Sequence, residues 1–267
     1  MLTSGTGRNE LLLKQGGKHV MVRYFIPVGC PADARVVFVM HGADRSGEKC
    51  LNDWMPYANE RRFLLVAPEF SDQEFPGATG YQFGNLTTRA GQPMPREAWT
   101  YNMVEPIFDA FRERCQINNG QYCIYGHSAG AQFVQRFVCF ASRPRMSRAV
   151  SANAGVYMLP DTATNFPYGF GGTGPGAAGL CAALGKPLIV LLGTADNDPH
   201  HKALSHALEA EAQGSSRLAR GNFFFACGEK AAAAIQAPFG WKLSFAPGIG
   251  HSDKDMAHFG LKCLFSE

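Results

Sequence analysis

The stretch Tyr122-Cys123-Ile124-Tyr125-Gly126-His127-Ser128-Ala129-Gly130 runs without a break into Ala131-Gln132-Phe133-Val134-Gln135-Arg136-Phe137-Val138. Its first five residues read as an apolar strand, Tyr122–Gly126. The residues Ala129–Ala141 repeat apolar side chains at helical spacing. Between them lies Gly126-x-Ser128-x-Gly130. When a strand turns into a helix over G-x-S-x-G, the serine sits on a turn so sharp that its backbone is strained. Only small residues two before and two after it avoid a clash. With 30 glycines in the chain, the bare pattern arises in about one of six shuffled sequences, so its placement between strand and helix carries the weight. A serine opening a helix is also an ordinary N-cap. A chemical role therefore needs partners elsewhere in the chain.

Working outward, the same alternation continues on both sides. His19–Ile26, Arg35–Met40, Phe63–Ala67, Ala149–Ala152, Pro187–Leu192 and Trp241–Ala246 read as strands. Glu48–Arg61, Ala98–Arg114, His201–Ala212, Ser215–Gln236 and Asp253–Phe265 read as helices. Val36–Met40 and Leu188–Leu192 are continuous apolar runs, which suit strands covered on both faces of a parallel sheet. The predicted class is α/β, with a mostly parallel central sheet and helices on both faces, in a single domain over residues 1–267. Two segments break the alternation, near 71–95 and 159–179. Both are rich in Gly, Pro and aromatics, and loops of that length in a compact domain are usually functional.

Composition narrows the function classes. Of the 267 residues, 46% are hydrophobic and 18% charged, which excludes a disordered chain. The net charge is +3 and the basic residues are scattered singly. No nucleic acid or anionic membrane is expected as a partner. The longest apolar runs, such as Pro187–Gly193 and Phe223–Cys227, fall far short of the roughly 20 residues of a membrane span. Leu11–Leu13 is too short for a secretory leader. As written, the chain is expected in the cytoplasm, or in the periplasm or outside the cell if a leader has been removed. Cysteines 30, 50, 115, 123, 139, 181, 227 and 263 show no C-x-x-C spacing. Zinc and dithiol motifs are therefore not expected, and free buried thiols are favoured over a disulfide set.

A serine nucleophile needs a histidine base, and the base needs an acid to orient it. On a strand-turn-helix scaffold of this kind the order is Ser, Asp or Glu, then His, each on a loop after a later strand. Pro187–Leu192 is followed by Gly193-Thr194-Ala195-Asp196-Asn197-Asp198-Pro199. Trp241–Ala246 is followed by Pro247-Gly248-Ile249-Gly250-His251. The candidate set is Ser128, Asp196 and His251. Asp198 is the alternative acid, although an Asp before Pro199 is also explained as a helix cap. His251 alone among the eight histidines has the right place in the order. His19 is expected to be half-buried in a strand, His127 to pack in the turn, and His200, His201 and His206 to be solvated at a helix start. His258 falls on the last helix.

An oxyanion formed by such a serine needs preorganised donors. The backbone N–H of Ala129 is one candidate. Ala43, in His41-Gly42-Ala43-Asp44 after Arg35–Met40, is the other. Tyr81, Asn85, Trp99, Tyr157, Phe166 and Tyr168 are candidates to wall a substrate pocket, with core packing as the alternative for each.

Through the His41-Gly42 loop, Gly126-His127-Ser128-Ala129-Gly130, Gly193-Thr194-Ala195-Asp196 and Gly250-His251, the chain resembles the α/β-hydrolase superfamily over almost its whole length. Within it the chain is similar to the polyhydroxybutyrate-depolymerase and feruloyl-esterase-like group. The resemblance implies a serine esterase without cofactor or metal, working through a covalent acyl intermediate on small or oligomeric esters. Hydroxyalkanoate and hydroxycinnamate esters are the substrate classes it points to. One departure is that His41-Gly42-Ala43-Asp44 stands where lipase-type members carry HGGG. Peptide hydrolysis, thioester hydrolysis and acyl transfer use the same three side chains and remain alternatives, as does a relative that only binds a ligand. Two other patterns carry little. Gly174-Pro175-Gly176-Ala177-Ala178-Gly179 matches a dinucleotide fingerprint but follows no strand. Asp196, Asp198, His200 and His201 are poorly spaced to converge on one ion.

Overall fold

Eight strands form one sheet in a computed structural model that describes residues 6–266. They are β1 (Gly7–Gln15), β2 (Lys18–Ile26), β3 (Val36–Met40), β4 (Leu64–Glu69), β5 (Tyr122–His127), β6 (Met146–Ala152), β7 (Leu188–Gly193) and β8 (Lys242–Ala246). The helices are α1 (Gly47–Arg61), α2 (Gly77–Gly80), α3 (Val104–Cys115), α4 (Ala129–Phe140), α5 (Gly176–Leu184), α6 (Leu208–Glu211), α7 (Arg217–Ala234) and α8 (Asp253–Phe265). The sheet order is β1-β2-β4-β3-β5-β6-β7-β8. Pairing is antiparallel for β1 with β2 and β2 with β4, and parallel from β4 to β8.

Alternate side chains of the parallel strands feed two cores, as the pleat requires. Phe38, Ile124, Val190 and Leu192 pack beneath α3, α4, α5 and α7, against Phe108, Phe133, Leu180 and Phe224. Val39, Tyr125, Val150 and Leu191 pack beneath α1 and α8, against Trp54, Met256 and Leu261. This is the two-faced burial read from the apolar runs. The register then sets the site. Met40 pairs with Gly126, Gly126 with Ser151, Ala152 with Leu191 and Gly193 with Ala246, so the carboxyl ends of β3, β5, β6, β7 and β8 form one rim.

Four elements differ from the sequence expectation. The edge strand β1 was not foreseen, because Leu11-Leu12-Leu13 hides its period of two. Leu12 is 58% exposed while its neighbours pack inward, and the turn to β2 is Gly16-Gly17, both at positive φ. The predicted helix His201–Ala212 shrinks to α6. There the Asp198 side chain takes the His200 N–H at 2.8 Å and His201 Nδ1 takes the Ala203 N–H at 3.2 Å, and such local bonds compete with a helix. The predicted helix from Ala98 starts at Val104, since Trp99 is extended and the Thr100 hydroxyl and amide are held by Gly80 and Gly84 carbonyls. Finally, the glycine-rich 174–179 pattern leads into α5. His19 is exposed and meets Glu74 at 3.1 Å instead of lying half-buried, because the outward face of β2 carries it.

All eight cysteines are unpaired. Among the described residues, no helix is long and apolar enough to cross a membrane.

Candidate active site

The turn between β5 and α4 holds Ser128 at φ 56° and ψ −113°. A side chain in so sparsely populated a region costs about 1–3 kcal/mol, which the surroundings must offset. Two backbone bonds do so locally: Ser128 N–H donates to Ala152 O at 3.0 Å, and Gln132 N–H to Ser128 O at 3.1 Å. The flanking glycines are steric necessities. A Cβ on Gly126 would lie 2.2 Å from Gly130 O, and one on Gly130 would lie 2.2 Å from Met40 O. The second contact also shows how closely the end of β3, and the His41 loop after it, lie against the elbow.

Three predicted side chains meet at this rim. Ser128 Oγ is 3.0 Å from His251 Nε2, and His251 Nδ1 is 2.7 Å from Asp196 Oδ2. A carboxylate only accepts, so Nδ1 carries the proton and Nε2 is free to accept from the serine hydroxyl. Asp196, not Asp198, is the acid that reaches His251. Its side chain is 3% exposed, against 15% for His251.

The loops that carry them are tied together. Asn153, fully buried after β6 at φ 50°, accepts from Gly193 N–H through Oδ1 at 2.7 Å and donates through Nδ2 to Gly250 O at 3.2 Å. Ala195 N–H donates to Ile249 O at 2.9 Å. One asparagine therefore fixes the acid loop against the histidine loop.

Around the three, the charges are unusual. His127 packs against His251 with ring centroids 4.6 Å apart. Burial, then the neighbouring His251, Lys49 and Arg217, push its pKa well below the ordinary histidine value, so it is neutral. Its Nδ1 lies 3.7 Å from Asp253 Oδ1, and Asp253 in turn meets Lys49 Nζ at 3.1 Å. His201 is not simply solvated, since its ring lies edge-on 5.2 Å from His251. The missing helix lets its loop fold back over the site. Arg217 Nη1 reaches Asp196 Oδ1 at 3.4 Å.

The His41 loop is anchored from beneath. His41 Nε2 accepts from Phe70 N–H at 3.0 Å, so its proton is on Nδ1, which donates to Gly42 O at 2.9 Å. Burial lowers its pKa to about 4. Arg45 N–H closes a turn onto Gly42 O at 3.3 Å, with Ala43 exposed inside it. Ala129 is the first residue of α4, directly after Ser128. Ala129 thus adjoins Ser128 in the chain, and the loop that carries Ala43 adjoins the elbow through the Met40 and His41 carbonyls close to Gly130.

The six aromatic and amide candidates fare differently. Tyr81 and Tyr157 are fully buried and are core residues instead of cleft walls. Tyr81 stacks on His41 and Phe133 and donates its hydroxyl to His41 O at 2.8 Å, while Tyr157 stacks on Phe224. Asn85 braces its own loop through Ala98 O. Trp99 sits at the far end of α4, edge-on to Phe140, about 18 Å of helix from Ser128. It lines a separate cavity of about 380 Å³ with Leu86, Met94 and Arg96. Phe166 packs against Phe83 and Phe140, and Tyr168 stays half-buried. Sequence reasoning missed Asn153, Arg217 and His201. Two of them left a signal: an Asn directly after an apolar strand, and an Arg in the first turn of a helix, where a cation is disfavoured.

No protein-family model and no curated protein sequence matches the chain. Solved structures do. A poly(aspartic acid) hydrolase from Sphingomonas sp. KT-1 is 44% identical over 98% of this chain and 99% of its own, with a TM-score of 0.95. A poly(3-hydroxybutyrate) depolymerase from Bordetella parapertussis is 33% identical over 98% of this chain and 91% of its own, with a TM-score of 0.93. An S-formylglutathione hydrolase from Agrobacterium tumefaciens, 14% identical with a TM-score of 0.59 over 98% of both chains, shares the fold. With two relatives this similar over nearly its full length, the chain belongs to the α/β-hydrolase family, in the serine-esterase group that holds the depolymerase, and is a carboxylic ester hydrolase.

Proposed function

We propose that the protein hydrolyses carboxylic esters of the hydroxyalkanoate type, as monomers or short oligomers, through Ser128, His251 and Asp196. The observation that carries the mechanism is the continuous hydrogen-bonded line from Ser128 Oγ through His251 to Asp196, at 3.0 and 2.7 Å, and the hydroxyalkanoate class is supported by the 33%-identical depolymerase. In the first half-reaction His251 Nε2 takes the hydroxyl proton as Oγ attacks the ester carbonyl carbon. The tetrahedral oxyanion is received by the amides of Ala129 and Ala43. It collapses as Nε2–H gives its proton to the leaving alkoxide, leaving an acyl-Ser128 ester. His251 then takes a proton from water, the hydroxide oxygen attacks the acyl carbon, and collapse returns the proton to Ser128 and releases the carboxylic acid. Asp196 stays ionised and stabilises the imidazolium at each step. Each oxyanion donor contributes roughly 10²–10³ in rate in such sites. Residues 1–267 act as one catalytic domain in this scheme, a reading supported by the single sheet that all eight strands join. Tyr168, from the 159–179 segment, is the remaining candidate to contact substrate, since Phe166 packs on Phe140 at the far end of α4 as Trp99 does. Trp99 and Asn85 would act only at a distance.

A second reading is amide hydrolysis of an anionic polymer. It is favoured by the 44%-identical relative named for poly(aspartic acid). One panel separates the two: p-nitrophenyl esters of increasing length, hydroxybutyrate oligomers, a methyl hydroxycinnamate and poly(aspartic acid), each analysed for products. Turnover of the oligoesters with no cleavage of poly(aspartic acid) supports the first reading. Cleavage of poly(aspartic acid) alone replaces it with the second.

A further inference from the structure

Arg217 is a charge in a costly place. It is the first residue of α7, where the positive end of the helix dipole disfavours a cation. Its side chain is 1% exposed, and burial pulls the guanidinium pKa below its ordinary value. Nη1 lies 3.4 Å from Asp196 Oδ1, and Nη2 lies 3.3 Å from His201 Nδ1. The backbone repeats the link, because Leu218 N–H donates to the Asp196 carbonyl at 3.1 Å. A guanidinium only donates. His201 Nδ1 is therefore an acceptor, shared with Ala203 N–H, and His201 is neutral beside it. A buried ion pair is weak evidence for stability, since desolvation offsets most of its attraction. Placed on the atom opposite the one that meets His251, it has another use.

We propose that Arg217 is a positioning residue for the active site, pinning the Asp196 carboxylate by Oδ1 so that Oδ2 stays turned to His251 as an anion. The inference rests on the proposed triad. Without Arg217, a carboxylate 3% exposed would be left with one partner, free to rotate or to take up a proton. The groups that face Arg217 are Asp196, Asp198 and His201 on the loop after β7, Tyr157 after β6, and Arg220 one turn along α7. Beyond them stand His251 and His127. Loss of the cation removes one positive charge from beside Asp196 and, through it, from the pair it forms with His251.

The test is the pH dependence of kcat and KM on a p-nitrophenyl ester for Arg217→Gln and Arg217→Lys. The Gln variant is expected to lose about tenfold in kcat with KM little changed. The acid limb of its kcat profile moves up by about one pH unit. Lys keeps the charge but spans one partner only, so its limb stays in place while kcat falls a few-fold. A folded Gln variant whose rate falls equally at every pH, or does not fall, overturns the proposal. If the Gln variant does not fold, the Lys variant decides, and wild-type kcat there overturns it. Ser128→Ala is run in parallel. If Ser128→Ala still turns over the ester, the triad reading fails by itself. If it is inactive while the Arg217 variants match wild type, only the positioning role fails.

Discussion

Asn153→Ala tests the idea that one buried amide holds the two catalytic loops in register. The substitution removes the acceptor of Gly193 N–H and the donor to Gly250 O. An orphaned buried amide costs about 1–3 kcal/mol. Ala also tolerates the positive φ of position 153 less well than Asn, adding about 1 kcal/mol. The expected loss is therefore about 2–4 kcal/mol, seen as a fall of roughly 5–15 °C in Tm for a domain of this size. Activity should fall further than stability implies. His251 and Asp196 sit on the loops that Asn153 joins, and a misplacement near 1 Å costs about 10²-fold in rate. Asn153→Gly separates the contributions, since it relieves the backbone conformation but not the lost bonds. The assay pairs thermal unfolding with kcat measured well below the lowered Tm. If both variants keep wild-type kcat there, the loops do not depend on Asn153 and the reasoning is refuted.

Three further outcomes follow from the same geometry. Gly130→Ala would place a Cβ 2.2 Å from Met40 O where ordinary contact begins at 3.4 Å, so elbow and loop must separate by about 1.2 Å. A kcat loss of about 10²-fold is expected, and wild-type steady-state kinetics would contradict it. His41 and His127 are buried as neutral rings, His41 with its pKa down to about 4 and His127 well below the ordinary 6.5. Below pH 6.5 the unfolded chain binds the extra protons, so stability is lost as pH falls from 6.5 toward 4, with His41 alone accounting for about 3 kcal/mol. Urea titrations at about pH 7 and about pH 4.5 should show a lower midpoint in acid, and equal midpoints would argue that the rings are not held neutral. Phe133→Ala empties the ring that packs against Phe70, Tyr81 and Tyr101, under the His41 loop. A loss of about 3–5 kcal/mol is expected on denaturant unfolding.

What the sequence could reveal depended on how local the physics was. Val36–Met40 and Leu188–Leu192 announced strands buried on both faces because their whole length is apolar. Gly126 was readable because the clash that forbids a side chain there, with Gly130 O, arises within five positions, whereas Gly130 is kept bare by Met40 O on another strand. Asp196 and His251 were proposed from chain order together with their place after predicted strands, and the rim formed by strand register brings them to Ser128. Arg217 and Asn153 left a local signal but not their roles, because their partners lie on other loops and no spacing rule predicts which loops will touch. Tyr81 shows the same limit. An aromatic in a glycine-rich segment can face a cleft or the core, and here the His41 carbonyl and the Phe133 ring drew it inward. Leu12 was misleading for a different reason, since an apolar residue on the open face of an edge strand breaks the pattern that would have revealed β1.

The most direct measurement is the site of a fluorophosphonate adduct, mapped by mass spectrometry of the digested protein. The phosphonyl group is expected on the hydroxyl of Ser128 and nowhere else, with no adduct on Ser128→Ala and slow labelling of His251→Ala. An adduct on another residue, or equal labelling of wild type and Ser128→Ala, would contradict the account at its root.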